Sequence, residues 1–183
     1  RFVAVAEPEE ALRRRFQRAH RIPDALAFER WEDLLAGSPR GQAALVCTPD
    51  ADHTAPALRA LRLGYHLLLE KPVSPLPEEC LELARFPLAA GQKVLVAHVL
   101  RYSAFWRRVR ETVVEGRLGR VVHLELSENV STWHFAHSYV RGAYGVESLA
   151  SPLILAKCCH DLDLMGWILR EQALSVQSSG GLL

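Results

Sequence analysis

The feature that most constrains this chain is a regular alternation over its first 98 residues. "RFVAVAEP" (1–8), "AALVCTPD" (43–50), "YHLLLEKP" (65–72) and "QKVLVAHVLR" (92–101) are short apolar runs. Between them lie helical stretches: "PEEALRRRFQRAH" with proline in its first turn, "FERWEDLLAG" closed by Gly37, "ADHTAPALRALRLG" closed by Gly64, and "PLPEECLELARF" ended near Pro87. Strands that are apolar without alternation are buried on both faces, so the pattern predicts a parallel sheet with helices on either side. Asp50 or Asp52 is the expected cap of the third helix. Ligands of such sheets bind beyond the carboxyl ends of the strands. Glu7, Thr48-Pro49 and Glu70-Lys71-Pro72 stand at those ends and are expected to line one edge.

After residue 99 the texture changes. "SAFWRRVRETVVEGRLG" predicts a basic amphipathic helix, and "RVVHLELSENVS" (120–131) alternates like a half-exposed strand of an antiparallel or mixed sheet. "TWHFAHSYVRGAYGVESLA" (132–150) has no steady period and reads as a loop. "SPLILAKCCHDLDLMGWILR" predicts a helix with Ser151 as cap and Pro152 at its first position, and "ALSVQSSGGLL" starts a further strand. Two units follow, 1–98 and 99–183.

Composition excludes several classes. Net charge is +1, without the basic excess of a nucleic-acid or acidic-membrane partner. No apolar run approaches the roughly 18 residues of a membrane span. Cys47, Cys80, Cys158 and Cys159 form no zinc spacing and are expected as small core residues in a reducing, cytoplasmic setting.

Of 22 basic residues only Lys71, Lys93 and Lys157 are lysines. An arginine-rich chain that retains lysine at the end of its most apolar strand invites a role arginine cannot fill, such as releasing a proton. On the 151–169 helix, Lys157, His160 and Asp161 share one face, opposite Leu155, Cys158, Cys159, Leu162 and Ile168. Facing Lys71 they would make an acid–base cluster; the plainer alternative is a Lys157–Asp161 helix salt bridge with His160 partly exposed. "HDLD" also invites a metal reading, but His160, Asp161 and Asp163 cannot all point one way on a helix, so no metal is expected. Trp133, His134, His137, Ser138, Tyr139 and Arg141 are either a polyhydroxyl- or carboxylate-binding loop or a packed interface.

Taken together these residues resemble the glucose–fructose oxidoreductase/inositol dehydrogenase (Gfo/Idh/MocA) family. "TPDADHTAPALRALRLGYHLLLEKPVS" resembles its central signature, with Thr48-Pro49, His53, Gly64 and Glu70-Lys71-Pro72 in register. "HVLRYSAFW…EGRLGRVVHLE", which holds Arg101 and Tyr102, resembles the segment leading into the second domain, and "SPLILAKCCHDLDLM" the helix of the catalytic histidine. The resemblance implies a Rossmann-like doubly wound parallel sheet followed by an α+β second domain with a mainly antiparallel sheet. It implies a nicotinamide-dependent dehydrogenase of a sugar, cyclitol or related polyol, assembling as a homo-oligomer through the second-domain sheet. A catalytically degenerate nucleotide- or sugar-binding sensor is the alternative.

In that reading Lys71 stabilises the developing alkoxide, His160 is the general base, and Lys157 stands in for a carboxylate usual four residues before the histidine, where this chain has Ala156. Glu7, Thr48, Pro49, His53, Glu70, Lys71 and Pro72 would line the cofactor, with Pro72 holding the lysine's backbone. Arg101, Tyr102, Trp133, His134, Ser138, Arg141 and Asp161 would line the substrate. Glu7 would bind the adenosine ribose and tilt the cofactor toward NAD over NADP, with arginines 13–15 leaving NADP open. The sequence starts at what resembles the family's second strand, lacks the glycine-rich turn, and is expected to be a piece of a longer protein.

Overall fold

The structure is a computed structural model that describes residues 1–141, 145–146 and 151–181. Five short parallel strands carry the first half. β1 (Val5–Ala6) pairs with β2 (Ala27–Phe28), and the two are joined through α1 (Glu10–His20). After α2 (Trp31–Leu34) comes a three-stranded sheet of β3 (Ala43–Val46), β4 (His66–Leu69) and β5 (Val94–Val96), in the order β3-β4-β5. Its crossovers are α3 (Thr54–Arg62) and α4 (Pro77–Ala84). The strand–helix alternation read from the sequence is thus present, but in two sheets. In the doubly wound order 3-2-1-4-5-6 one further strand lies between the pieces that β1 and β3 occupy.

Register decides which side chains are buried. Val46 pairs with Leu69 and Leu69 with Val96, so alternate residues of the sheet share a face. Val46, Leu67 and Leu69 face α3 and join Ala57 and Leu61 in one core, with Val73, Leu83 and Phe86 packed against it. A second cluster, Leu35, Ala60 and Tyr65, lies on the neighbouring flank of α3. The opposite row differs from the expectation of helices on both faces: Leu45 is 48% exposed and Leu95 50% exposed. Only one face of this sheet is covered among the described residues, since α3 and α4 both pack against that side.

Helix ends follow local chemistry in part. α3 stops at Gly64, whose φ of +88° lets Tyr65 N donate to Ala60 O at 3.1 Å, closing the last turn as expected. Its start corrects the sequence reading. Asp50–Asp52 forms a 3₁₀ turn of its own, and α3 begins after His53 with no side-chain cap. The carboxylate of Asp50 instead accepts a hydrogen bond from Ser151 N at 3.3 Å.

The second half is helical. α5 (Ala104–Val114) starts at Ser103, whose hydroxyl accepts from Trp106 N at 3.3 Å. α7 (Leu153–Leu169) packs against it. Arg110 Nε donates to Trp167 O at 3.1 Å, and its guanidinium lies 4.9 Å from the Trp167 ring centroid. Four expectations are corrected here. Ser151 does not cap α7, which starts behind Pro152 without a side-chain cap. Residues 132–140, read as loop, form α6 (Thr132–Phe135) and a π turn (Ala136–Val140); residues 142–144 and 147–150 of that stretch lie outside the described residues. On α7 the side placed opposite the Lys157 face divides, with Ile168 2% and Leu162 70% exposed. The buried row is Ala156, Leu164 and Ile168. Residues 120–131 and 173–181 belong to no strand, because an alternating segment becomes a strand only when a ladder partner is present. No described helix is long and apolar enough to cross a membrane.

Candidate active site

Parallel register brings the strand ends together. Val46, Leu69 and Val96 are aligned, so Thr48, Lys71 and His98, each two residues on, leave the sheet at its carboxyl edge. His53 fastens the first two of these loops. It is 1% exposed, with Nδ1 at 2.8 Å from Pro72 O and Nε2 at 2.9 Å from Thr48 O. The imidazole therefore sits between the backbone of the Thr48-Pro49 loop and that of the Lys71-Pro72 segment, whose peptide bond is cis. Thr48 Oγ1 donates to Asp52 O at 3.0 Å, closing the Pro49-led turn. Glu70 is held at both ends: its N donates to Val46 O, and its carboxylate accepts from Lys71 N at 3.1 Å.

The lysine side chain points across to α7. Lys71 Nζ donates to Ala156 O at 3.2 Å. One turn further along the helix is His160, whose buried Nδ1 has no hydrogen-bond partner among the described residues. The two sequence candidates Lys71 and His160 are thus brought to one place, although 85 residues separate Lys71 from the helix residue it holds.

Two groups that sequence reasoning left out complete the cluster. The His98 ring lies edge-on to His160, with centroids 5.8 Å apart and planes at 70°. His98 Nδ1 is 2.9 Å from Asp163 Oδ1. The same carboxylate takes both arms of Arg101, at 2.7 Å from Nε and 2.6 Å from Nη2. His98 was hidden at the polar end of a strand, with no spacing to mark it. Asp163 was weighed only as a metal ligand, yet its partners are a guanidinium and an imidazole.

The electrostatics are one-sided. Burial pushes the His160 imidazole below its ordinary pKa, and positive charge on Lys71, or on His98 when it is protonated, pushes the same way against Asp163 and Asp161. Burial also lowers His98, outweighing the pull of Asp163. Arg101 is raised by its bond to Asp163. Both imidazoles are therefore held toward the neutral form, the form a general base needs.

Residues 1–98, more than half of the chain, match the model of a family described as "Oxidoreductase family, NAD-binding Rossmann fold", Gfo/Idh/MocA. The chain belongs to the Gfo/Idh/MocA family. Curated relatives include 1,5-anhydro-D-fructose reductase of Ensifer adhaerens, 29% identical over 157 residues, 81% of this chain and 44% of the relative. Inositol 2-dehydrogenase of Corynebacterium glutamicum (strain R) is 27% identical over 176 residues, 95% of this chain and 48% of the relative. A solved scyllo-inositol dehydrogenase from Lactobacillus casei with bound NAD(H) and scyllo-inositol superposes with a TM-score of 0.73 at 18% identity. That superposition covers 92% of this chain and 48% of the other, and it shows a shared Rossmann-like α/β fold. The Gfo/Idh/MocA chain spans a third to a half of the length of the curated relatives it matches.

The residues present fit part of a nicotinamide dinucleotide. The carboxyl edge of the sheet, where ligands of such folds bind, offers an amine, and one turn along α7 lies a buried imidazole nitrogen unpartnered among the described residues. Glu7 stands just past β1, one carboxylate oxygen accepting from Glu9 N at 2.9 Å, while Arg13 holds the Glu7 carbonyl. No glycine-rich strand-to-helix turn for the pyrophosphate occurs among the described residues; β1 leads into α1 through Glu7-Pro8-Glu9.

The remaining sequence candidates are scattered. Lys157 makes no hydrogen bond or ion pair with a described residue, so the alternative of a Lys157–Asp161 bridge is absent among these residues. Asp161 Oδ2 is buried and unpartnered among the described residues, and Asp161 raises the Cys158 thiol, though less than burial does. Arg101 is committed to Asp163. Tyr102 is 64% and Trp133 78% exposed. Trp133 lies against His137 and His134 against Tyr139 within the α6–π-turn unit, with Ser138 half-buried and Arg141 exposed at its end. No described contact carries that unit to Lys71. No described group of three His, Cys, Asp or Glu side chains is arranged to hold a metal ion.

Proposed function

We propose that the protein carrying this chain is an NAD(H)-dependent oxidoreductase acting on a secondary alcohol or ketone of a sugar, cyclitol or related polyol. Residues 1–98 form its nucleotide half, and 99–183 begin the half that binds substrate and assembles through an antiparallel sheet. The observation that carries this reading is the pairing of Lys71 and His160 at the carboxyl edge of the sheet, bridged by the bond from Lys71 Nζ to Ala156 O.

A bound nicotinamide would supply the acceptor for the hydride of the carbinol carbon. The chain supplies the rest. His160, held neutral by burial, takes the hydroxyl proton. The Lys71 ammonium stabilises the oxygen that gains charge. His53 keeps the Lys71 backbone in place through Pro72 O. Glu7 receives the adenosine ribose, and its charge disfavours a 2′-phosphate, which sets NAD ahead of NADP. Lys157, unpaired among the described residues, is the further cation available on the same helix, and the α6–π-turn unit with Tyr102 supplies the aromatic and basic groups for a polyhydroxyl ligand.

Lys71→Met in the full-length protein tests the reading, because it removes the charge and keeps a side chain of similar length. Turnover on a panel of polyols with NAD is expected to fall about 100-fold or more, with NADH affinity within about threefold of wild type. Near-normal turnover in this variant contradicts the role given to Lys71.

A further inference from the structure

The proton that His160 collects must leave again in every cycle, and the neighbouring side chains limit where it can go. One helical turn before this histidine stands Ala156, 3% exposed, whose side chain offers no proton acceptor. From the loop after β4 the His160 ring is faced by Lys71, a cation, which is no acceptor for a proton. From its own helix it is faced by Asp161 and Asp163, and Asp163 is already occupied by both arms of Arg101. From the turn after β5 it is faced by His98.

His98 is unlike the others in two ways. A carboxylate only accepts hydrogen bonds, so the 2.9 Å contact with Asp163 Oδ1 places the hydrogen of neutral His98 on Nδ1. Its Nε2 is then a free lone pair. The side chain is also 21% exposed, whereas Nδ1 of His160 is sealed from solvent. Arg101 anchors the carboxylate that anchors the ring, the arrangement that fixes an imidazole's tautomer in an acid–base chain.

We propose that His98 is the proton outlet of His160: held through Nδ1 by Asp163, it receives at Nε2 the proton His160 takes from substrate, directly or over one water, and returns it to solvent. This rests on the oxidoreductase reading above. In the oxidation direction the carbinol C–H bond breaks with its electron pair going to the nicotinamide and a carbonyl forms. The O–H proton goes to His160, then to His98, then to bulk water. Reduction runs the same steps backward. Because two imidazoles in ring contact oppose each other's charge, a proton on one disfavours a proton on the other, and their titration belongs to both rings.

His98→Asn tests this, since the amide still donates to Asp163 but cannot carry a proton. In the full-length protein at low buffer concentration, the expected result is a drop in kcat of at least about tenfold with NADH affinity within about twofold. The low-pH limb of the kcat profile moves to higher pH as His160 loses a repelling neighbour. Added imidazole restores kcat in His98→Ala, whose cavity admits it. Three results overturn the proposal. Native kcat and an unchanged pH profile in His98→Asn does so. So does a loss that imidazole does not relieve and that leaves the profile unmoved, the mark of a merely structural residue. Wild-type protein that binds NADH yet turns over no polyol or keto-sugar overturns the oxidoreductase reading and the outlet with it, whereas the first two results leave that reading standing.

Discussion

His53 offers a test that needs no substrate. The ring is 1% exposed and lies between two backbone carbonyls, Pro72 O at 2.8 Å and Thr48 O at 2.9 Å. His53→Leu keeps an apolar body of similar breadth and removes every ring N–H. A neutral imidazole has one N–H to give, so at least one buried carbonyl loses its donor. Leaving such a group unsatisfied costs about 1–3 kcal/mol. The branched side chain also fills a flat slot poorly, and imperfect volume exchange in a packed site adds roughly 1 kcal/mol. The sum is about 2–4 kcal/mol. Urea unfolding of the full-length protein, with midpoint and slope fitted together, measures it. Because the lost contact also positions the Lys71 segment, kcat is expected to fall more than stability alone explains at temperatures where the variant is fully folded. A destabilisation under about 1 kcal/mol would show that neither carbonyl depends on the ring, and the account of how the two loops are fastened would be wrong.

Other outcomes follow from the same contacts. Asp163→Asn removes the charge that pairs with Arg101 and holds His98; with Arg101 40% exposed the loss is expected below the roughly 3–5 kcal/mol of broken buried pairs, at about 2–3 kcal/mol by urea unfolding. Leu164→Ala opens a cavity at a 0% exposed position of α7 and is expected to cost about 2–5 kcal/mol in the same assay. His98 and His160 are both held below their ordinary pKa, so the unfolded chain binds more protons than the folded one between the two values. Their contribution is therefore complete above the ordinary histidine value of about 6.5 and is lost as pH falls through the depressed folded values; His98→Asn should flatten that acid-side slope in melts recorded across pH.

How much of this was legible in the sequence varies with the kind of information each part depends on. The strands of the first half could be read because burial against α3 selects apolar residues at Val46, Leu67 and Leu69. Gly64 could be read because its φ of +88° is open to few other residues. The caps could not. Asp50 has the right chemistry to start α3, but a competing donor 101 residues away, the Ser151 backbone, takes its carboxylate. The loop reading of residues 132–140 failed because a short helix stabilised by local stacking, such as Phe135 with Tyr139 at 6.2 Å, needs no apolar period. The antiparallel sheet expected from 120–131 depends on ladder partners, and alternation alone does not supply them.

The candidate site divides along the same line. Lys71 and His160 were visible from their own segments, a lysine ending an apolar strand and a histidine sharing a helix face with Lys157 and Asp161. Their meeting was not visible, since it depends on α7 lying across the strand ends and giving Ala156 O to the lysine. Arg101 was read as a substrate contact from its place in the signature, yet its fork geometry finds a carboxylate within the chain at 2.6 Å and 2.7 Å. That bond changes what Asp163 is for. A carboxylate gripped by both arms of an arginine is a firm anchor, so the ring it holds, His98, becomes the group left to exchange protons. The missing acid at position 156 therefore need not mean missing chemistry: with a buried base at His160 and a partly exposed second imidazole beside it, the proton path is displaced from the helix that carries the base to the strand end that faces it.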